Sequence, residues 1–301
     1  MRLNSRLMQW ILVLLFFILS FSIYILKVIP LNKQKKDSFV IGKLNPFEIT
    51  SIEILRFLKN SKERLVITNN NKWFISYPFS EEADEGRINK LIDEINSCKI
   101  EGEIQNSSNL YEYNLDPPLV KILIRFKNST EKEICIGEKT IDEKYRYIYN
   151  PQYSNKIVLS YSYKLETPFL NISDFRNKII FNIPVDQIEK IVLKSPEMRS
   201  ITLRKTNDNW YSVEKNRMIP ITNFNEKLID IYSLMVNAFI KNPVSGFKPY
   251  YEISLYSKKM TNTLLISKTN EEGKWIARTE DKKELFLIEK DDLKDIFKIY
   301  K

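Results

Sequence analysis

Apolar positions along the chain fall into two regimes. Near the start, Leu7 to Leu26 carries no charge and is broken only by Gln9, Ser20 and Ser22. At about 1.5 Å per residue, a helix of that length reaches across a hydrocarbon layer of roughly 30 Å. Trp10 and Tyr24 lie near its ends, where amphipathic rings favour the headgroup region. From residue 45 onward the pattern becomes short stretches of alternating apolar and polar residues separated by polar turns. That period belongs to half-buried strands joined as antiparallel meanders rather than to parallel βαβ units.

The alternating stretches occur twice in the same order. Strands are predicted at Ile52 to Leu58 and Leu65 to Thr68, then an Asn69-Asn70-Asn71 turn leads into Lys72-Trp73-Phe74-Ile75. The acidic run Ser80 to Glu85 reads as a helix start, with a capping serine and carboxylates at the positive helix end. Ile88, Leu91, Ile92, Ile95 and Cys98 then recur at helical spacing. Adding 137 carries Ile54 to Ile191, Val66 to Leu203, Trp73 to Trp210, and Leu91-Ile92-Asp93 to Leu228-Ile229-Asp230. A duplication is the simple explanation. Further strands are expected at Val120 to Phe126, Glu133 to Ile136, Tyr145 to Tyr149 and Ile157 to Tyr161. The second copy has Tyr251 to Tyr256, Thr263 to Ser267, Trp275 to Arg278 and Glu284 to Ile288, and helical tails are expected at Ser173 to Lys178 and Asp291 to Tyr300. The expected class is α+β: one N-terminal transmembrane helix followed by two tandem copies of an antiparallel sheet-plus-helix unit. The expected divisions are a short tail (1–6), an anchor (7–29), a basic linker (30–44), a first repeat (45–182) and a second (183–301).

A cleaved signal peptide is the alternative to the anchor, but Lys27-Val28-Ile29-Pro30-Leu31 offers no small-x-small cleavage site. The net charge of +9 changes meaning once located: residues 1–36 hold six basic residues and no acid, so the folded body is nearly balanced. Basic flanks suit anionic headgroups, whereas a nucleic-acid reader needs a basic stripe on its folded part. The lysines after the run place the body in the cytoplasm by the positive-inside rule, which loses force for large downstream domains. The charge pattern thus leaves the side open.

Composition removes much chemistry. No histidine is present, which eliminates Ser-His and Cys-His nucleophiles and His-ligated metals. Two cysteines cannot build a four-cysteine zinc site or an Fe–S cluster. Under the repeat, Cys98 falls on Met235 and Cys135 on Leu265, so both read as buried small hydrophobes; a disulfide between them is the alternative in an exported domain. Trp73 and Trp210 read as core anchors, with sugar stacking as the minor reading. Glu81, Glu82, Asp84 and Glu85 have the composition of a carboxylate pair or calcium site, but a helix start accounts for them. Gly137-Glu138-Lys139-Thr140 lacks the upstream glycine of a phosphate loop and reads as a strand-end turn. The N-x-S/T triplets at Asn106, Asn128 and Asn171 are expected by chance in so asparagine-rich a chain. No catalytic, cofactor-binding or metal-binding residue is singled out.

The single span, the Lys-Trp strand with Pro78 after it, Ala83-Asp84 ahead of a helix and Tyr113-Asn114-Leu115-Asp116-Pro117-Pro118 together resemble a family. It is a bacterial membrane-anchored domain-of-unknown-function family with a Y-G-L-D-x-P signature. Ile136-Gly137 and Phe175-Arg176-Asn177-Lys178 fit the same pattern. Asn114 stands where that family has glycine, and asparagine tolerates a positive φ better than most residues. The resemblance implies a large domain outside the cytoplasmic (inner) membrane, working with ABC-type transport systems of the gliding-motility auxiliary kind. The expected function is therefore a non-enzymatic, membrane-anchored auxiliary or scaffold subunit, with permease, ATPase or other auxiliary subunits as partners and no nucleic acid or cofactor. A module binding envelope polymer or another ligand is the alternative, and a histidine-free envelope hydrolase using carboxylates or a Ser-Lys pair is a third.

Overall fold

The computed structural model describes residues 14–22, 40–59, 61–104, 109–152, 156–196, 200–214, 217–222, 224–240, 246–268, 273–282 and 284–297. The tail 1–6, most of the anchor 7–29 and most of the linker 30–44 lie outside the described residues. So do the triplet at Asn106 and the end of the last predicted tail. Of the uncharged run, residues 14–22 are helical (α1) with exposed side chains. Among the described residues no helix is long and apolar enough to cross a membrane.

The chain divides into two compact units, Met1–Phe175 and Arg176–Lys301. This division precedes the sequence-based break after residue 182, because Ile180 and Phe181 are buried in the second core. In the first unit the order is β1 (Ile49–Leu58), β2 (Ser61–Asn69), β3 (Trp73–Tyr77), β4 (Glu81–Glu82) and α2 (Glu85–Ser97). Then come β5 (Gly102–Ile104), β6 (Val120–Phe126), β7 (Glu131–Lys139), β8 (Tyr145–Tyr149) and β9 (Ile157–Tyr161). These strands form one antiparallel sheet in the order β4-β3-β2-β1-β6-β7-β8-β9-β5. Helix α2 therefore carries the chain from one sheet edge to the other. Its Ile88, Leu91, Ile92 and Ile95 are buried against the sheet, each contributing about 1.5–3 kcal/mol. Asp84, not Ser80, is the cap: its carboxylate accepts from Arg87 N at 2.9 Å, while Glu81 and Glu82 form the edge strand.

The second unit repeats this topology strand for strand. It runs β10 (Lys190–Lys194), β11 (Ile201–Thr206), β12 (Asn209–Glu214), β13 (Arg217–Ile221), α3 (Phe224–Tyr232) and β14 (Ala238–Phe239). After these come β15 (Tyr251–Tyr256), β16 (Thr261–Ser267), β17 (Lys274–Thr279), β18 (Phe286–Glu289) and α4 (Lys290–Phe297). Its sheet order is β13-β12-β11-β10-β15-β16-β17-β18-β14. The duplication is thus real, but its spacing is not constant. Ile52 pairs with Ile67 and Ile124, and Ile191 pairs with Leu203 and Leu255. Matching residues are 139 apart in β1 (Ile52 to Ile191), 136 apart in β2 (Ile67 to Leu203) and 137 apart in β3 (Trp73 to Trp210). A uniform 137 sets half-buried Val66 on inward-facing Leu203, and a one-residue error exchanges the two faces of a strand.

The turns absorb the differences. The β2–β3 turn has three residues, with Asn71 at φ 68°, whereas the β11–β12 turn has two, Asn207 and Asp208, both at positive φ, as tight hairpins require. The helices align at 136, placing Phe224, Leu228 and Ile231 where Ile88, Ile92 and Ile95 stand, while Ile229 is 62% exposed. Cys98 then matches buried Leu234 rather than Met235, which is 51% exposed.

The tails also differ. α4 is a helix with Leu293 and Ile296 buried. The segment after β9 instead makes separate 3₁₀ turns, Ser162–Lys164, Thr167–Phe169 and Ile172–Phe175, and no α-helix covers Ser173 to Lys178. Side chains satisfy its backbone in place of a helical ladder. The Glu94 carboxylate accepts from Thr167 N and Oγ1, both at 2.8 Å, and Arg56 donates to the Phe169 and Leu170 carbonyls. Pro168 lies inside the second of these turns and has no N–H to offer a helix.

Candidate functional site

The side of the first sheet away from α2 carries a band of tyrosines. In β8, Tyr145-Arg146-Tyr147-Ile148-Tyr149, the period of two sends Arg146 and Ile148 inward and all three phenols to the other face. Tyr161 on β9 pairs directly with Tyr145. Their rings stack at 5.1 Å, Tyr163 adds a third ring 5.4 Å from Tyr161, and Tyr163 is 63% exposed. The Lys144 ammonium sits over Tyr145 at 5.1 Å and Tyr161 at 6.0 Å. Its pKa is raised first by its hydrogen bond to the Tyr145 hydroxyl, and that of Tyr161 first by the charge of Tyr145. The Tyr145 and Tyr161 rings are stacked, and the Tyr163 ring is tilted against Tyr161 by 36°.

The Tyr113 to Pro118 motif anchors the neighbouring part of this face. Asn114 adopts a left-handed conformation at φ 51°, which asparagine tolerates better than most residues, and its side chain donates to Glu138 Oε2 at 2.9 Å. Leu115 is buried with Cys135 and Ile157, and Tyr113 packs on Tyr147 at 4.7 Å. Gly137 makes room for this loop: a Cβ there would lie 2.2 Å from the Tyr113 carbonyl oxygen. Gly137 to Lys139 are the end of β7 rather than a turn, and the turn that follows is closed by Glu143 N donating to Thr140 O.

Other sequence candidates occupy structural places. Trp73 and Trp210 are buried, the latter 5.0 Å from Phe224. Asn128 accepts from Thr130 N and Oγ1 within a tight turn. Among the described residues no group of three or more Cys, Asp or Glu is placed to hold a metal ion. Both cysteines are free and buried. Burial pushes the Cys98 thiol up to about 11, and burial with the adjacent Glu133 carboxylate pushes Cys135 up to about 12. Both are therefore protonated at neutral pH, the unreactive form. Alkylation by N-ethylmaleimide at pH 8 is expected to be slow for the native protein and fast in urea. Since folding raises both pKa values, their contribution to stability is full below about pH 9. It is lost as pH rises through 11 to 12, at up to about 1.4 kcal/mol per pH unit per thiol. Denaturant titrations at pH 8, 10 and 11 measure this; a flat profile would refute it.

The tyrosine band went unassigned in the sequence, although its signal, Tyr at 145, 147 and 149 on a strand, is visible there. A family model described as Domain of unknown function (DUF4340) matches residues 73–251. The match begins at the tryptophan strand of the first unit and ends at the start of β15 in the second, so it spans parts of both. No curated protein and no solved structure matches the chain.

Proposed function

We propose that this chain, which belongs to the DUF4340 family, a domain of unknown function, is a non-enzymatic, membrane-anchored auxiliary subunit of an ABC-type transport or motility complex. Its duplicated body stands outside the cytoplasmic membrane, and the tyrosine band of the first unit holds a partner subunit. The uncharged run Leu7 to Leu26 supports anchoring. The tyrosine band carries the reading: Tyr145, Tyr161 and Tyr163 supply ring area and hydroxyls at low conformational cost, and tyrosine is enriched among the residues that dominate protein interfaces. The second unit has Lys274, Ile276 and Glu289 where the first has Tyr145, Tyr147 and Tyr161, so the band belongs to one copy only.

The test is cross-linking in intact cells, affinity purification of the full chain and mass spectrometry. Permease and ATPase subunits are expected in the eluate. A chain carrying Tyr145→Phe, Tyr161→Phe and Tyr163→Ala should recover at least tenfold less of them, equivalent to about 1.4 kcal/mol, with an unchanged circular dichroism spectrum. An eluate holding only this protein would overturn the reading. Co-sedimentation with purified envelope polymer would then favour a polymer-binding module.

A further inference from the structure

The outer face of the second sheet breaks a pairing rule. Tyr256, Lys190, Arg204 and Tyr211 are successive cross-strand partners on β15, β10, β11 and β12, so their side chains share one face. Like charges placed directly opposite repel and destabilise a sheet, yet Lys190 and Arg204 are such a pair. Among the described residues neither has a carboxylate partner. Nearby cations are already neutralised, Lys205 by Asp208 at 3.3 Å and Lys258 by Glu189 at 3.6 Å. Lys190 is held in place by the Tyr256 ring, its ammonium 3.7 Å from the centroid. The matching row of the first unit is Arg125, Ser51, Thr68 and Phe74. Its one cation, Arg125, is paired with Glu131 at 2.8 Å and Glu53 at 3.6 Å. The uncompensated pair is therefore particular to the second copy. It lines a groove of about 700 Å³ bounded by the turn Val185–Gln187 and by Asn207, Asp208 and Ser257.

We propose that this groove binds a phosphate group, with Arg204 and Lys190 as its cationic ligands and Tyr256 as the side wall. A guanidinium fork matches two phosphate oxygens and an ammonium supplies a point charge beside it. Two adjacent cations suit a group carrying about −1.5 to −2 charges at neutral pH better than they suit one carboxylate. Asp186, the remaining acid in the lining, opposes anion binding. The phosphate is carried either by a lipid headgroup or by a soluble compound, and the two sources share this chemistry.

Isothermal titration of the full chain in neutral detergent, at constant ionic strength, distinguishes the sources. The probes are inorganic phosphate and monomeric dihexanoyl phosphatidic acid, with chloride as the control anion. Saturable binding of phosphate identifies a soluble source, and binding of the phosphatidic acid alone identifies a headgroup. In either case Lys190→Gln and Arg204→Gln should each weaken binding at least fivefold, Asp186→Asn should tighten it, and Arg125→Gln should leave it unchanged. The double variant should melt no lower than the parent, since it removes a repulsion. Absence of saturable binding by both probes, or equal binding by the double variant, would overturn the proposal. This result is independent of whether the tyrosine band holds a partner.

Discussion

Replacing Gly137 with alanine is expected to destabilise the first unit by about 2 kcal/mol or more. The added methyl would lie 2.2 Å from the Tyr113 carbonyl oxygen and 3.2 Å from two carbons of Leu115. The first of these is backbone, so no side-chain rotation relieves it. The loop is held from both sides: Leu115 N donates to Leu110 O, Leu119 N donates to Asn114 O, and Leu115 is buried over Cys135 and Ile157. Either the loop lifts and exposes that cluster or β7 bends. The reduced freedom of alanine in the unfolded chain returns only about 0.4–1 kcal/mol. Hydrogen exchange after the substitution should speed in β7 and in residues 110–119 and stay unchanged in the second unit, which has its own core. Unaltered exchange in the loop would show that it does not rest on Gly137.

Arg176→Ala is expected to cost the second unit about 2–4 kcal/mol. The guanidinium is buried, forms a two-pronged pair with Glu284 and lies 3.4 Å from the centroid of the Phe239 ring. It thereby ties the entry of the second unit to β14 and to the segment leading into β18. Removing it uncovers the ring and leaves Glu284 without that partner. Because Glu284 is 39% exposed, water can reach it, which keeps the cost below that of a wholly buried pair. Arg176→Lys should recover little, since an ammonium can neither fork to two oxygens nor stack as a plane. Urea unfolding followed by hydrogen exchange should show the second unit opening at lower urea with the first unaltered. Full recovery by lysine would mean that charge alone matters there.

The alternation of apolar and polar residues made nearly every strand of the two meanders readable, and the tryptophans at 73 and 210 exposed the duplication. What alternation could not supply was register. Hairpin turns of two and three residues shift a strand without disturbing its pattern, so a single spacing matched the tryptophans while turning Val66 and Ile92 onto the wrong partners. Two-residue β4 is too short to have a period, and Glu81 and Glu82 read as part of the helix that follows. The run of 3₁₀ turns between β9 and Phe175 has a tertiary cause, because Glu94 and Arg56, which hold Thr167, Phe169 and Leu170, come from elements far away in the chain. Asn114 was legible, since a positive φ is a local property. The two surface sites were not. The tyrosine band requires β8 and β9 to be neighbours, and the Lys190–Arg204 pair exists only once β10 and β11 are in register.

The place of α2 between the two sheet edges bears on how the protein is made. As the chain emerges from its N-terminus, β1 to β4 and the helix are complete by residue 97, but β1 finds its second neighbour only when β6 ends at residue 126. At a synthesis rate of about 5–20 residues per second, the interval after Ser97 is roughly 1.5–6 s. During it the nascent sheet has an open side with Ile52 and Ile54 beside it. β5 waits longer, until β9 is made, and the second unit repeats both delays with β15 and β18. Each copy therefore passes through a half-built state that invites pairing with the wrong strand, but all nine strands of the first sheet are made by residue 161, before β10 begins at residue 190. Chain order thus keeps the homologous strands of the second copy from competing for the open side of the first.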